Sequence, residues 1–238
     1  MAATRTEPNP LRASLVEQLA RMRGDGAPAP PDALLDVVRE SLPAGDGEPV
    51  AILRPRDWDE LRHQEGAAGR MAPYWAIPWP SGLALADELA RRDDLDGARV
   101  LELGCGLGLP SVVAARRGAQ VTATDADPDA VVFAAHNLAL NDLAGEVVQA
   151  DWRAAQPLLD GAPWDLVLAA DVLYLRHNVE ALLRVLPKLI GRTGRALVAD
   201  PSRAGGRDFT AAAKRMLALA THADARHPTV NLHALYAR

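Results

Sequence analysis

The chain has 238 residues, of which 49% are hydrophobic and 24% are charged, and its formal net charge is -5. This balance is ordinary for a globular protein, and the chain is long enough to bury a core without disulfides or metals. The mild acidity disfavours an extended nucleic-acid surface, because such surfaces carry an excess of basic residues. A globular protein whose partner is not a nucleic acid is therefore expected.

The single cysteine and the N-terminal residues bear on where the protein acts. Cys105 has no second cysteine to pair with inside the chain, which is typical of a reducing cytosol. Residues 1–10 contain no apolar stretch and include Glu7, which is unlike a signal peptide and disfavours a transit peptide. No uncharged apolar run reaches the roughly 18 residues of a membrane span. We expect a cytoplasmic protein that does not cross a membrane.

Residues 1–48 are interpreted as an N-terminal arm, and residues 49–238 as the main domain. Apolar residues at helical spacing predict a helix over 11–22, and a Pro/Gly-rich stretch at 24–31 ends it. A second short helix is expected over 32–41. A loosely packed tail without a role in chemistry and a guide for the substrate are equally consistent with this arm.

From Arg99 onward, strands and helices alternate along the chain. Strands are predicted at 99–103, 120–124, 146–150, 165–170 and 195–199, and helices at 111–117, 128–140, 179–190 and 209–220. Such alternation produces a doubly wound, mainly parallel α/β sheet with helices on both faces. Two last strands, at 223–227 and 231–236, have no helix between them, which predicts an antiparallel strand at the sheet edge. The expected sheet has seven strands.

The clearest motif follows the first of these strands. Gly104, Gly106 and Gly108 open the next helix, at the edge where parallel α/β sheets bind nucleotide-like ligands. A dinucleotide fingerprint, G-x-G-x-x-G, would need glycine at 109, where Leu109 stands. With Glu102 before them, the glycines form E-x-G-x-G-x-G, which resembles the motif of S-adenosylmethionine (SAM) enzymes. A tight turn without a ligand is the alternative.

Acidic residues end the next two strands. Asp125 lies 21 positions after the first motif glycine, close to the spacing at which an acid binds a ribose, since a carboxylate accepts both hydroxyl protons. Asp127 precedes Pro128 and is interpreted as a helix cap. Asp151 is suited to binding an adenine amino group, and Trp152 either covers the adenine ring or packs in the core.

Three segments together resemble a known family. They are residues 73–82, with sequence PYWAIPWPSG, the D-x-x-Y loop from Asp171 to Tyr174, and residues 199–203, with sequence ADPSR. They are similar to the electron-transfer flavoprotein beta-subunit lysine methyltransferases, within a larger set of D-x-x-Y protein methyltransferases formerly called nicotinamide N-methyltransferase-like. The similarity runs from about residue 49 to the C terminus. Relatives often have two glycines where this chain has Ser81 and Gly82.

The resemblance implies a Rossmann-like class I methyltransferase fold with SAM as the cofactor. Trp79 and Gly82 would lie beside the cofactor, although a core position is the alternative for Trp79. Asp171 and Tyr174 would be the catalytic residues, facing the acceptor nitrogen. The implied reaction is N-methylation of a lysine side chain on a protein, with the electron-transfer flavoprotein beta subunit as the first candidate partner.

The sequence of the acceptor loop disfavours some methyl acceptors but leaves alternative functions open. It lacks the prolines of the D/N-P-P-Y/F sequence, which disfavours methylation of DNA adenine or of glutamine. A small-molecule N- or O-methyltransferase and a non-catalytic SAM-binding regulatory protein are the alternatives, and intact Asp171 and Tyr174 favour catalysis over the second. No metal is expected, because the sequence contains neither H-E-x-x-H nor C-x-x-C.

Overall fold

The computed structural model describes residues 10–238, so the expectation for the residues before Pro10 lies outside it. Its helices are α1 Pro10–Arg23, α2 Asp32–Leu35, α3 Trp58–Ala67, α4 Pro80–Ala90, α5 Leu109–Arg116, α6 Pro128–Leu140, α7 Gln156–Asp160, α8 Arg176–Ile190 and α9 Ala204–Ala213. Its strands are β1 Val37–Leu42, β2 Val50–Pro55, β3 Arg99–Leu103, β4 Gln120–Asp125, β5 Glu146–Gln149, β6 Leu166–Ala170, β7 Arg195–Asp200, β8 Ala218–Ala223 and β9 Asn231–Tyr236. Short 3-10 helices lie at Tyr74–Ala76 and Trp152–Ala154.

The main sheet of the described chain has seven strands in the order β5-β4-β3-β6-β7-β9-β8. Strands β3 to β7 run parallel, whereas β9 is antiparallel to both β7 and β8. The central strands are buried on both faces because helices cover them, which explains their continuous apolar sequences. The predicted doubly wound, mainly parallel α/β fold is confirmed. The closing pair is antiparallel, with β9 inserted between β7 and the edge strand β8.

Two predicted helices are wrong in whole or in part. Only Asp32–Leu35 of the helix expected over 32–41 is helical, and residues 37–41 belong to β1, which pairs antiparallel with β2. The helix expected over 209–220 begins earlier and ends at Ala213, and β8 starts at Ala218. Alanine-rich sequence favours helix locally, but pairing with β9 decides the structure of these last residues.

The N-terminal arm is packed against the main domain. Leu15 and Leu19 on α1 are fully buried in the cluster that also contains residues of α6. Strand β1 of the predicted arm pairs over its whole length with β2 of the predicted main domain, across the boundary placed at residue 48. Among residues 10–238, none of the helices combines the length and the apolar character needed to cross a bilayer.

Candidate cofactor and acceptor site

A cleft of about 740 Å³ lies beyond the carboxyl ends of β3, β4, β5 and β6. Its volume is within the usual range for small-molecule sites, about 300–1,000 Å³. The predicted site residues that line it are Trp79, Gly82, Glu102, Gly104, Gly106, Asp125, Asp151, Trp152, Asp171 and Tyr174. The cofactor side and the acceptor side of the predicted site therefore share one cleft.

The glycine loop between β3 and α5 is shaped by its close contacts. A Cβ atom at Gly104, whose φ is 68°, would lie 3.1 Å from the Trp152 ring and 3.1 Å from Val172. Glycine is needed there because a side chain would fill the cleft floor. Gly108 was also predicted to bind the cofactor, but it does not line the cleft. It caps α5 and faces Ala134 of α6, where a Cβ would lie 3.0 Å away, so its contact is with a neighbouring helix.

Asp125 is held in place by two backbone donors. The amide of Gly106 donates to Oδ2 at 2.9 Å, and the amide of Asp127 donates to Oδ1 at 3.0 Å. Burial raises the pKa of Asp125, and the two amides oppose that shift. The prediction that Asp127 caps a helix is confirmed, because its carboxylate accepts from the amide of Asp129 at 2.9 Å.

Glu102 connects the end of β3 to the start of α5. Its Oε2 accepts from the amide of Ser111 at 3.0 Å and from the Ser111 hydroxyl. The side chain is 1% exposed, and burial raises its pKa to about 8 despite these hydrogen bonds. The raised pKa favours the protonated form of Glu102 near neutral pH.

Asp151 and Trp152 follow β5 and line the cleft. Asp151 caps a 3-10 helix through the amide of Arg153 and pairs with the Arg153 guanidinium at 2.6 Å, which lowers the pKa of Asp151. The Trp152 ring lies against Gly104, and its buried Nε1 has no hydrogen-bond partner among residues 10–238. Trp152 thus forms part of the cleft wall as well as packing against the apolar cluster under β6 and α8.

On the acceptor side, Asp171 is paired with a residue that the sequence reasoning did not assign to it. Asp171 has a left-handed φ of 59°, is 9% exposed and forms an ion pair with Nη1 of Arg203. The Ser81 hydroxyl makes a longer contact with its other oxygen at 3.5 Å. Burial raises the pKa of Asp171, and Arg203 opposes the shift. The adjacency of β6 and β7 was the available signal, because the loops that follow two neighbouring parallel strands meet at one edge.

Aromatic side chains form the mouth of the cleft. The Tyr74 ring centroid lies 6.0 Å from that of Tyr174 and 6.3 Å from that of Trp79, whose Nε1 donates to the Tyr74 carbonyl at 2.6 Å. Tyr74 is 45% exposed and Tyr174 47%. The Trp75 ring packs on Phe133 of α6 at a centroid distance of 5.1 Å and also lines the cleft.

One cluster of potential metal ligands occurs in the described part of the chain, away from the cleft. The ligand atoms of Asp87, Asp224 and His227 lie within 4.8 Å of one another. Arg226 contacts Asp87 at 3.5 Å, and Arg91 contacts Asp224 at 3.5 Å. Because arginines already compensate both carboxylates, this group is a structural ion-pair network.

The sheet order, the glycine loop after β3 and the acid ending β4 define a class I, Rossmann-like methyltransferase domain. Residues 71–215, more than half of the chain, match a protein family described as lysine methyltransferase. The chain belongs to this family, and its cofactor is SAM. The carboxylates along the cleft fit that cofactor, because it presents two ribose hydroxyls and an ammonium group as donors.

Individual proteins that resemble the chain include both protein and RNA methyltransferases. The chain is 38% identical over 135 residues to the electron transfer flavoprotein beta subunit lysine methyltransferase of Danio rerio, covering 56% of this chain and 51% of that protein. It is 30% identical over 184 residues to the ribosomal RNA small subunit methyltransferase C of Pseudomonas paraeruginosa, covering 76% and 48%. The fold matches a T. thermophilus 16S rRNA methyltransferase with a TM-score of 0.63 at 18% identity, over 90% of this chain and 53% of that one. The chain spans about half the length of these curated relatives.

Proposed function

We propose that this protein transfers the methyl group of SAM to the amine of a lysine side chain on a protein. The observation that carries the proposal is the single cleft that joins the glycine loop to Asp171 and to the aromatic mouth. A lysine chain entering past Tyr74 and Tyr174 would bring its amine to Asp171. The named activity of the relative from Danio rerio makes the electron-transfer flavoprotein beta subunit the first candidate acceptor.

The cofactor half of the proposal assigns one role to each region of the cleft. Asp125 would accept hydrogen bonds from the ribose hydroxyls, and Glu102 would face the methionine ammonium. Asp151 and Trp152 would hold the adenine, and Trp79 would cover the cofactor from the mouth. Gly104 and Gly106 would let the backbone approach it closely. When bound, SAM supplies a methyl group that is already activated on a sulfonium, so that the protein contributes alignment and exclusion of water.

The acceptor half must deal with the charge of lysine. The reference pKa of lysine is about 10.4, so roughly one amine in 10³ to 10⁴ is neutral near pH 7. The alkyl chain would pack against the aromatic mouth and bring the amine into the cleft, where loss of water from the amine disfavours the ammonium form. Arg203 acts in the same direction, because it is a positive charge beside Asp171. Asp171 would orient the neutral amine and stabilise the positive charge that develops on nitrogen.

Labelled SAM provides the test. The protein is incubated with deuterium-labelled SAM and either a proteome extract or its small-molecule fraction, and products are identified by mass spectrometry. We expect lysine peptides whose mass has increased by one methyl group or more. After subtraction of the added deuterium, each methyl group accounts for about 14 Da, since methylation keeps the charge and adds only that mass. The purified flavoprotein beta subunit is the first defined acceptor. Methylation confined to small molecules, or to RNA in the extract, would overturn the lysine assignment.

Asp171→Ala separates catalysis from cofactor binding in the same assay. We expect turnover to fall by about 10² or more, the usual contribution of a residue that positions and stabilises a reacting group. Affinity for SAM should stay within about threefold of wild type, since Asp171 belongs to the acceptor loop. Near-normal turnover in this variant would mean that Asp171 is structural.

A further inference from the structure

The N-terminal arm reaches the cofactor side of the cleft through one buried ion pair. Arg23, the last residue of α1, donates from Nε to Oδ1 of Asp129 at 2.7 Å and from Nη2 to Oδ2 at 2.5 Å. The two side chains are 9% and 10% exposed. Such a two-pronged, desolvated pair fixes both partners, unlike an exposed pair held by one contact.

Hydrogen bonds lead from this pair to the glycine loop in three steps. The amide of Asp129 donates to the carboxylate of Asp127 at 2.9 Å, and the amide of Asp127 donates to Asp125 at 3.0 Å. The other oxygen of Asp125 accepts from the amide of Gly106 at 2.9 Å. The first turn of α6, which Arg23 holds, therefore positions the carboxylate proposed to bind the ribose.

The charges in this segment depend on Arg23. Asp125, Asp127 and Asp129 are three partly or fully buried carboxylates at alternate positions, and within residues 10–238 the pair with Arg23 is the one ion pair that any of them makes. A buried carboxylate left without its partner is strongly destabilising, and it also repels the charges beside it. Removing Arg23 would leave the buried carboxylate of Asp129 uncompensated close to Asp125.

A second cavity shows how close the two regions are. It has a volume of about 280 Å³ and is lined by Arg23 and Asp129 of the buried pair, together with Trp75, Asp127 and Pro128. The last three of these residues also line the main cleft. The cavity beside the arm and the main cleft thus share lining residues.

We propose that Arg23 is a positioning residue for cofactor binding, supplied to the site by the N-terminal arm. It holds the first turn of α6 and compensates the charge of Asp129, so that Asp125 keeps the orientation that binds the ribose. The family match begins at residue 71, so this contribution comes from outside the matched region. The inference rests on the proposed cofactor roles and is independent of the acceptor.

Calorimetric titration of SAM into four proteins tests the inference. For Arg23→Met we expect the Kd for SAM to rise at least tenfold. For the double variant Arg23→Met/Asp129→Asn we expect a Kd within about threefold of wild type, because the charge of Asp129 is removed together with its partner. Arg23→Lys keeps a charge but loses the two-pronged contact, and an intermediate Kd, about threefold to tenfold above wild type, is expected. If Arg23→Met does not fold, the Kd values of Arg23→Lys and of the double variant test the inference.

Two control variants separate this role from general stability. Leu15→Val weakens the packing of α1 without touching the ion pair, and it should lower the melting temperature while leaving the Kd for SAM unchanged. Arg12→Met, on the same helix as Arg23, removes the exposed pair with Asp32 of α2 and should change neither. If Leu15→Val weakens SAM binding as much as Arg23→Met does, at the same loss of stability, the role of Arg23 is purely structural.

The outcomes distinguish this inference from the assignments on which it rests. Wild-type affinity in Arg23→Met or Arg23→Lys, or a double variant no tighter than the single variants, overturns the role of Arg23 alone. Failure of the wild-type protein to bind SAM would instead remove the cofactor assignment. Neither result depends on which molecule accepts the methyl group.

Discussion

At the scale of single residues, the carboxylates of the cleft differ in what compensates their burial. Glu102 has a serine, Asp125 has two backbone amides, and Asp171 has the guanidinium of Arg203. Burial raises the pKa of all three carboxyl groups, and the positive charge of Arg203 opposes that shift at Asp171.

Replacing Glu102 by glutamine should change how stability depends on pH. Burial raises the pKa of Glu102 from its ordinary 4.5 to about 8. A group with a raised folded-state pKa stabilises the fold below its unfolded-state pKa, and this contribution disappears as the pH rises from 4.5 to about 8. Over that window the wild-type free energy of unfolding should fall relative to that of Glu102→Gln, by at most ~1.4 kcal/mol per pH unit.

Urea denaturation of both proteins at several pH values within that window measures the difference. The amide keeps the shape of the side chain and cannot ionise, so it is the matched control. Parallel pH profiles for the two proteins would contradict a raised pKa at Glu102.

The sequence predicted the acids of the site better than their partners. Glu102, Asp125 and Asp171 could be placed because each follows or ends a parallel strand, and such ends converge at one edge of the sheet. The adjacency of β6 and β7 brings the loops of Asp171 and Arg203 together, but which side chains meet depends on the loop conformations, which include left-handed backbone at Asp171 and Ser202. Such conformations are set by packing between loops.

At the scale of elements, the turn between β7 and α9 fixes the acceptor loop. Asp200 is 1% exposed and accepts from the amide of Arg203 at 3.0 Å, which places the guanidinium toward Asp171. Gly205 lies so close to the acceptor loop that a Cβ there would overlap the carbonyl oxygen of Leu173. Segment 199–203, one of the segments that carried the family resemblance, therefore supports the loop from Asp171 to Tyr174.

Gly205→Ala should reduce activity by displacing that loop. The added methyl group must push Leu173 away, which moves both Asp171 and Tyr174 from their positions. We expect turnover to fall at least tenfold while the Kd for SAM changes less, and both are measured on the same preparation. Gly66→Ala is the control, because it lies in α3 with open space around it and should stabilise the protein by about 0.5–1 kcal/mol. Full activity in Gly205→Ala would show that the loop position is not critical.

Element prediction succeeded where local pattern and tertiary structure agree. The apolar runs of β3 and β6 and the capped start of α6 at Pro128 were found to within one residue. Prediction was wrong at β1 and β8, whose strand structure depends on partners elsewhere in the chain. Neither strand has an apolar pattern strong enough to compete with local helix preference.

At the scale of the whole molecule, the sheet order brings four strand ends to one cleft. The glycine loop, Asp125, Asp151 and Asp171 come from β3, β4, β5 and β6, which are neighbours in the order β5-β4-β3-β6. The arm packs beside this cleft through the Arg23–Asp129 pair, and Tyr74 and Tyr174 lie at its mouth.

The most direct test of this account is calorimetric titration of SAM into the wild-type protein and Asp125→Ala. Asp208→Ala, which removes an exposed carboxylate on α9, is the control. We expect one SAM site in the wild type and in Asp208→Ala, and a loss of at least tenfold in affinity, about 1.4 kcal/mol, in Asp125→Ala. Unchanged affinity in Asp125→Ala would remove that residue from the site, and no binding by the wild-type protein would contradict the account as a whole.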